Sequence, residues 1–179
     1  MKKLLLGIAA VCLAGFTFAQ DAPLWMRHSV ISPDGTTIAF TYKGDIYTVP
    51  VAGGRAMQIT TNPAYDTAPV WSPDSKRIAF ASDRMGSLDV YIVAKDGGEP
   101  RRLTTHSGSE TPLAFTDAGH VLFSAGIMPS AEAVVFPSNG QFNQVYRVSV
   151  EGGRPTMISS MPMECISINK EGAMLYQDK

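Results

Sequence analysis

The chain writes one nine-residue phrase twice, as "SPDGTTIAF" from Ser32 to Phe40 and as "SPDSKRIAF" from Ser72 to Phe80. A repeat constrains the fold strongly, because each copy must become one supersecondary unit that packs on the next. Four turns align: "ISPDG" (31–35), "WSPDS" (71–75), "FTDAG" (115–119) and "INKEG" (168–172). Each precedes a short apolar strand, respectively "TTIAF", "KRIAF", "HVLF" and "AMLY". After the first three comes a second strand: "DIYTVPV" from Asp45, "DVYIVAK" from Asp89 and "QVYRVSV" from Gln144. These run to double glycines at Gly53–Gly54, Gly97–Gly98 and Gly152–Gly153. A third strand follows ("RAMQITT", "EPRRLTT", "RPTMISS"), and a polar loop leads to the next turn.

The turn has a mechanism. Pro33 presets φ for a type I turn, Asp34 can accept hydrogen bonds from local amides, and Gly35 supplies a positive φ. Ser75 stands in place of that glycine in the second copy. It is expected to sit in the left-handed region at a modest cost, so that Ser75→Gly raises the melting temperature. The "IAF" strands are continuously apolar rather than alternating, which predicts burial on both faces. Tyr47, Tyr91 and Tyr146 recur at one register and read as packing residues between sheets. Asp45 and Asp89 recur beside them, but Gln144 breaks that column, which argues against a shared charged role.

The period selects the architecture. Turn to turn, from Gly35 through Ser75 and Gly119 to Gly172, the spacing is 40, 44 and then 53 residues. Roughly 40–45 residues holding four short strands make a β-propeller blade. The predicted fold is therefore all-β, built of four-stranded antiparallel blades at approximately 28–61, 66–105 and 110–160, with the start of a fourth at 163–179. The loop between the first two strands lengthens from 41–44 to 81–88 to 124–143, and insertions of this kind often line a working rim. Three blades and a part do not close a ring, since a propeller needs at least about four. The sequence thus reads as the N-terminal piece of a longer protein, expected to aggregate or form homo-oligomers when expressed alone.

Residues 1–19, "MKKLLLGIAAVCLAGFTFA", have two lysines, an apolar run and small residues at Thr17 and Ala19. They read as a secretory signal peptide cleaved after Ala19, with a periplasmic or secreted destination. The apolar run from Leu4 to Ala19 is short for a span of about 20 residues. Val11 precedes Cys12 where a lipoprotein signal wants a small residue. Cleavage would leave Cys165 as the one cysteine, without a partner for a disulfide and best read as a small buried hydrophobe. The formal charge of −1 suggests no nucleic-acid partner.

The second blade, "PVWSPDSKRIAFASDRMGSLDVYIVAKDGGEPRRLT", resembles the TolB-like (WD-type) propeller repeat. "PLWMRHSVISPDGTTIAFTYKGDIYTVPVAGG", "PAYDTAPVWSPD", "RRLTTHSGSETPLAF" and the inserted "MPSAEAVVFPSNGQFNQVYRVSVEGGRP" together resemble the start of a bacterial tricorn-type protease. The resemblance implies a propeller of about six blades, then a second propeller, a PDZ domain and a serine-peptidase core that carries the catalytic residues. It implies that the propellers act as gates or channels for peptides. No catalytic motif lies in this chain, so no catalytic residue is carried over and the chain itself is not expected to be an enzyme. The alternatives are a TolB-like periplasmic scaffold for protein–protein contacts and the propeller of a dipeptidyl-peptidase-like hydrolase.

Candidate contacts with a peptide or with the parent's other domains come from the loops. Arg84 lies in "SDRMGSLD" with Asp83 and Asp89, where pairing with a carboxylate competes with recognition of a peptide terminus. His106 lies in "TTHSGSE", between blades two and three. Met128, Phe136 and Phe142 are apolar side chains of the long insertion. His28 is followed by Ser29, which on a strand points to the opposite face, poor geometry for a nucleophile and its base. His120 follows the turn glycine and reads as solvated. No calcium loop or zinc pattern occurs, and the double glycines lack the lysine and helix of a phosphate loop. No metal or cofactor is expected, and no membrane insertion after signal cleavage.

Overall fold

The computed structural model describes residues 25–126, 143–161, 163–169 and 173–178. These form fourteen β-strands and no helix. The first sheet runs β1 (Met26–Ile31), β2 (Thr37–Tyr42), β3 (Asp45–Pro50), β4 (Met57–Gln58), each strand antiparallel to the one before. The second repeats this order with β5 (Asp66–Trp71), β6 (Arg77–Ser82), β7 (Asp89–Ala94) and β8 (Arg101–Arg102). The third holds β9 (Glu110–Asp117), β10 (His120–Ala125), β11 (Gln144–Ser149) and β12 (Thr156–Ser159), and β13 (Met163–Ile168) pairs with β14 (Met174–Asp178). Contacts pass between sheets through their first strands, β1 on β5, β5 on β9 and β9 on β13. These are four-stranded propeller blades stacked in sequence, and among the described residues no strand pairs the first sheet with the last.

The repeated turns form alike. Ser32 Oγ donates to Asp34 Oδ1 at 2.5 Å, the Thr36 amide donates to the same oxygen, and the Thr37 amide donates to Ser32 Oγ. The second copy reproduces all three bonds with Ser72, Asp74, Lys76 and Arg77. The serine hydroxyls, followed by the local amides, hold Asp34 and Asp74 below the usual carboxylate range. Ser75 adopts φ +57 where Gly35 adopts +72, so the left-handed geometry expected of it is present. Its hydroxyl also accepts the Asp34 amide of the neighbouring sheet at 3.1 Å, a bond that the single-turn picture does not contain.

The core lies between sheets. Val30, Ala39, Ile46 and Ile59 of the first face Trp71, Ile78, Phe80, Tyr91 and Val93 of the second. Val70, Ala79, Val90, Ile92 and Leu103 on the other side of the second sheet face Phe115, Val121, Phe123 and Tyr146 of the third. The "IAF" strand of the second sheet is thus sandwiched as its composition demands, whereas that of the first is packed against a sheet on one face only. The recurrent tyrosines stack on the phenylalanines directly opposite them, Phe40–Tyr47, Phe80–Tyr91 and Phe123–Tyr146, with centroids 5.7–6.0 Å apart.

Three local features differ from the sequence expectation. The loop strands extend further, so the first inter-strand loop is only Lys43–Gly44, both at positive φ, a type I′ hairpin. The outer strands of the first two sheets shrink to two residues. There the chain leaves the ladder to bury Ile59 and Leu103, and Thr60 and Thr104 accept the Ile46 and Val90 amides with their side chains. The innermost strands each carry a bulge, with His28 at φ +51 and Ala68 at the same value. His28 and Ser29 therefore do not follow simple strand alternation, contrary to the sequence expectation.

Candidate functional site

The propeller layout sorts the candidate residues by end. At one end lie the SPDG-type turns. With the ends of β1, β5, β9 and β13 they bound a cleft of about 1000 Å3 whose walls include Ile31, Trp71, Phe115, Thr116 and Ala118. At the opposite end lie the loops of Arg84 and His106 and the stems of the long insertion. Met128, Phe136 and Phe142 lie outside the described residues, as does the 1–19 segment.

Arg84 is committed to an ion pair, and its partner is neither Asp83 nor Asp89. Its Nη2 donates to both oxygens of Asp66 at 3.0 Å, its Nε donates to Ser82 Oγ at 2.8 Å, and its guanidinium lies 4.5 Å from the Tyr91 ring centroid. Asp66 is fully buried, so the pair compensates a charge that burial alone would penalise heavily. Asp83 instead accepts the Tyr65 amide at 2.8 Å. Asp89 is buried against Arg102, 2.8 Å from Nη2.

His106 is exposed. Its Nδ1 accepts the Gly108 amide at 3.0 Å, which leaves Nε2 carrying the proton, and its carbonyl accepts Ser87 Oγ. A Cβ placed on Gly108 would lie 3.8 Å from the Gly126 carbonyl, so this loop abuts the base of the insertion. The structure thus gathers the His106 loop and the insertion stem, ties the His106 loop to the Arg84 loop through Ser87, and holds Arg84 itself inward. His120 is held by Asp117 at 3.0 Å rather than simply solvated.

Sequence reasoning missed Glu110 and Asp66. Both begin an innermost strand 44 residues apart, both are fully buried, and their amides donate to the Leu88 and Gly44 carbonyls. Asp66 has Arg84. Glu110 has no hydrogen-bond donor among the described residues, and burial pushes its carboxyl up to about 7; the nearby Thr104 hydroxyl opposes this only in part, and Asp89 adds to it. The doubted Asp45–Asp89 column is real as geometry. Asp45 accepts Thr60 Oγ1 and Gln58, burial raises its carboxyl, and Gln144 in the third copy accepts the Tyr146 hydroxyl instead. The signal available in the sequence was the threonine fifteen residues after Asp45 and after Asp89, Thr60 and Thr104.

Sequentially stacked four-stranded sheets around an open cleft define a β-propeller repeat protein, and the comparisons place it more closely. Residues 23–179 match the family described as the tricorn protease N-terminal beta propeller domain, and the chain belongs to that family. It is 35% identical over 102 residues to tricorn protease homolog 1 of Streptomyces coelicolor, a match covering 56% of this chain and 9% of that protein. It is 30% identical over 129 residues to the uncharacterized peptidase YuxL of Bacillus subtilis, covering 71% of this chain and 20% of that one. Its fold is similar to that of a putative TolB from Agrobacterium tumefaciens, with TM-score 0.66 and 25% identity over 84% of this chain and 53% of that one. The chain thus spans a fifth or less of the two curated relatives. No helix among the described residues is long and apolar enough to cross a membrane.

Proposed function

We propose that this chain is the non-catalytic propeller module of an exported tricorn-like serine peptidase, where it admits or positions peptide substrates and holds the assembly together. The observation that carries the reading is the cleft at the turn end. Its walls are the innermost strands of successive blades, apolar and wide enough for an extended peptide. Membership of the tricorn propeller family and a relative named as a peptidase support it. The lysine-led apolar segment at residues 1–19 supports export through a cleaved signal peptide to the periplasm or beyond. On this reading chemistry belongs to other domains of the parent, and the loops that carry Arg84, His106, Met128, Phe136 and Phe142 are the candidates for contact with peptide or with those domains, Arg84 itself being engaged by Asp66. The TolB likeness supports a second reading, a periplasmic scaffold that binds proteins.

Peptidase assays of the full-length parent separate the two. Ala118 is exposed and lines the cleft, so Ala118→Trp narrows the mouth without disturbing the core. The variant should lower kcat/KM for long peptides by about tenfold and leave dipeptide substrates unchanged, as obstruction of a path remote from the chemistry requires. Equal loss on both substrates, or on neither, removes the gating role. A parent without peptidase activity favours the scaffold.

A further inference from the structure

At the loop end, the seam between the first and second sheets opens into a cleft of about 400 Å3 walled by Trp25, Arg27, Thr41, Lys43, Gly44 and Tyr65. Trp25 and Tyr65 occupy the same position in successive repeats, each just before an innermost strand, and they remain 69% and 43% exposed. The Tyr65 ring closes over Gly44, with Cδ2 3.4 Å from where a Cβ would stand. Two large aromatics left in solvent on either side of one cleft are unusual for side chains whose only task is to fill a core.

The cleft is also cationic. Arg27 and Lys43 are exposed, and neither has a carboxylate within 4.0 Å among the described residues. Each lies over an aromatic ring instead, Arg27 at 5.8 Å from the Trp25 centroid and Lys43 at 5.3 Å from that of Tyr42. The acids of this seam are engaged elsewhere: Asp66 holds Arg84, Asp45 takes Thr60 and Gln58, and Asp83 takes the Tyr65 amide.

Thr41 supplies an independent pointer. It is 2% exposed, and its hydroxyl has no hydrogen-bond partner among the described residues. It stands directly opposite Arg27 in the β1–β2 register, so both side chains project from the same face of the sheet. The second repeat has Ala81 at this position, so the fold does not require a hydroxyl there. A buried hydroxyl without a partner costs stability until something completes its hydrogen bond.

We propose that this cleft is a subsite for a peptide carboxylate adjoining an apolar side chain. Arg27 and Lys43 hold the charge, Thr41 donates a hydrogen bond, and Trp25 and Tyr65 flank the apolar group. The inference rests on the peptide-handling reading above and adds the chemistry of what is held. A chain terminus and an acidic side chain offer the same group, and the test distinguishes them.

Isothermal titration of the full-length protein would use acetyl-Ala-Ala-Phe as the free acid, the same peptide as its amide, and acetyl-Ala-Phe-Glu-amide. The free acid should bind about tenfold more tightly than the amide, with the advantage shrinking as salt rises from about 0.05 to 0.5 M. Arg27→Gln and Lys43→Gln, both at exposed positions, should each abolish most of that advantage. Thr41→Val should weaken acid binding about three- to tenfold while leaving the ligand-free melting temperature equal or higher, which a merely structural hydroxyl would not do. If the glutamate amide binds like the free acid, the site reads any carboxylate; if it binds like the simple amide, the site reads a chain terminus. Equal binding of acid and amide, or wild-type binding by the charge variants, overturns the subsite and leaves peptide handling intact. Absence of all peptide binding, with Ala118→Trp also silent in the cleavage assay, overturns both.

Discussion

Single side chains in this molecule carry more than one task, which changes the sign expected of simple substitutions. Ser75 occupies a position suited to glycine, and relief of its left-handed backbone is worth about 1 kcal/mol. The same residue accepts the Asp34 amide across the seam, a bond worth about 0.5–1.5 kcal/mol. Ser75→Gly should therefore leave stability within about 0.5 kcal/mol of wild type, whereas Ser75→Ala keeps the strain, loses the bond and should cost about 1 kcal/mol in thermal melts. The gain expected from the turn alone is offset because the hydroxyl's partner lies 41 residues away, beyond any local motif. Glu110 is the second case. Its folded-state pKa is raised to about 7 from the ordinary 4.5, so between those values the native state holds a proton that the unfolded chain has released. Stability contributed by the neutral form is present below about pH 4.5 and falls as pH rises toward 7. Glu110→Gln should flatten that slope and raise stability at pH 8 by about 2–3 kcal/mol, read from denaturation midpoints across pH.

At the scale of elements, seams are where sequence and structure part company. The turns, the "IAF" strands and the tyrosine register were legible because each rests on neighbours in the chain: a proline, an aspartate and a glycine, or three apolar residues in a row. The innermost strands were not. Their sequences, "MRHSVI" and "DTAPVW", mix charge, proline and positive-φ bulges, and they are strands because each pairs with the next strand of its own sheet and packs on a neighbouring blade. The partner of Arg84 was hidden because Asp66, at the start of β5, lies 18 residues away while Asp83 and Asp89 lie closer in sequence. The pair therefore pins the Arg84 loop to the start of β5. Arg84→Ala would leave the Asp66 carboxylate buried and uncompensated, at an expected cost of about 3–5 kcal/mol, and Asp66→Ala a similar one for the stranded guanidinium. The double variant should recover part of that loss. Additive losses in urea titrations would mean that the two side chains act separately.

For the whole molecule, the repeat itself says what the open side of the first sheet lacks. Trp71, Ile78, Phe80, Tyr91 and Val93 form the face of the second sheet that the first sheet covers. The equivalent positions of the first sheet are Ile31, Ile38, Phe40, Tyr47 and Val49, the same chemistry at four of five places. Among the described residues this face is less covered than its counterpart: Ile31 is 58% exposed where Trp71 is 8%, and Ile38, Tyr47 and Val49 are half-buried where Ile78, Tyr91 and Val93 are buried, while Phe40 is buried against Tyr47. A face evolved to be packed, at about 25 cal/mol for each Å2 of apolar surface removed from water, favours association wherever a partner is available. Residues 20–179 produced alone should therefore self-associate at micromolar concentration in sedimentation velocity. Ile31→Lys combined with Val49→Lys, both on the open face, should move the population toward monomer, because a charge on a packed face must be desolvated. A lysine at Glu99, an exposed position outside both core faces, should not. A chain that sediments as a monomer before any substitution would mean that this face is satisfied within the molecule, by residues outside those described.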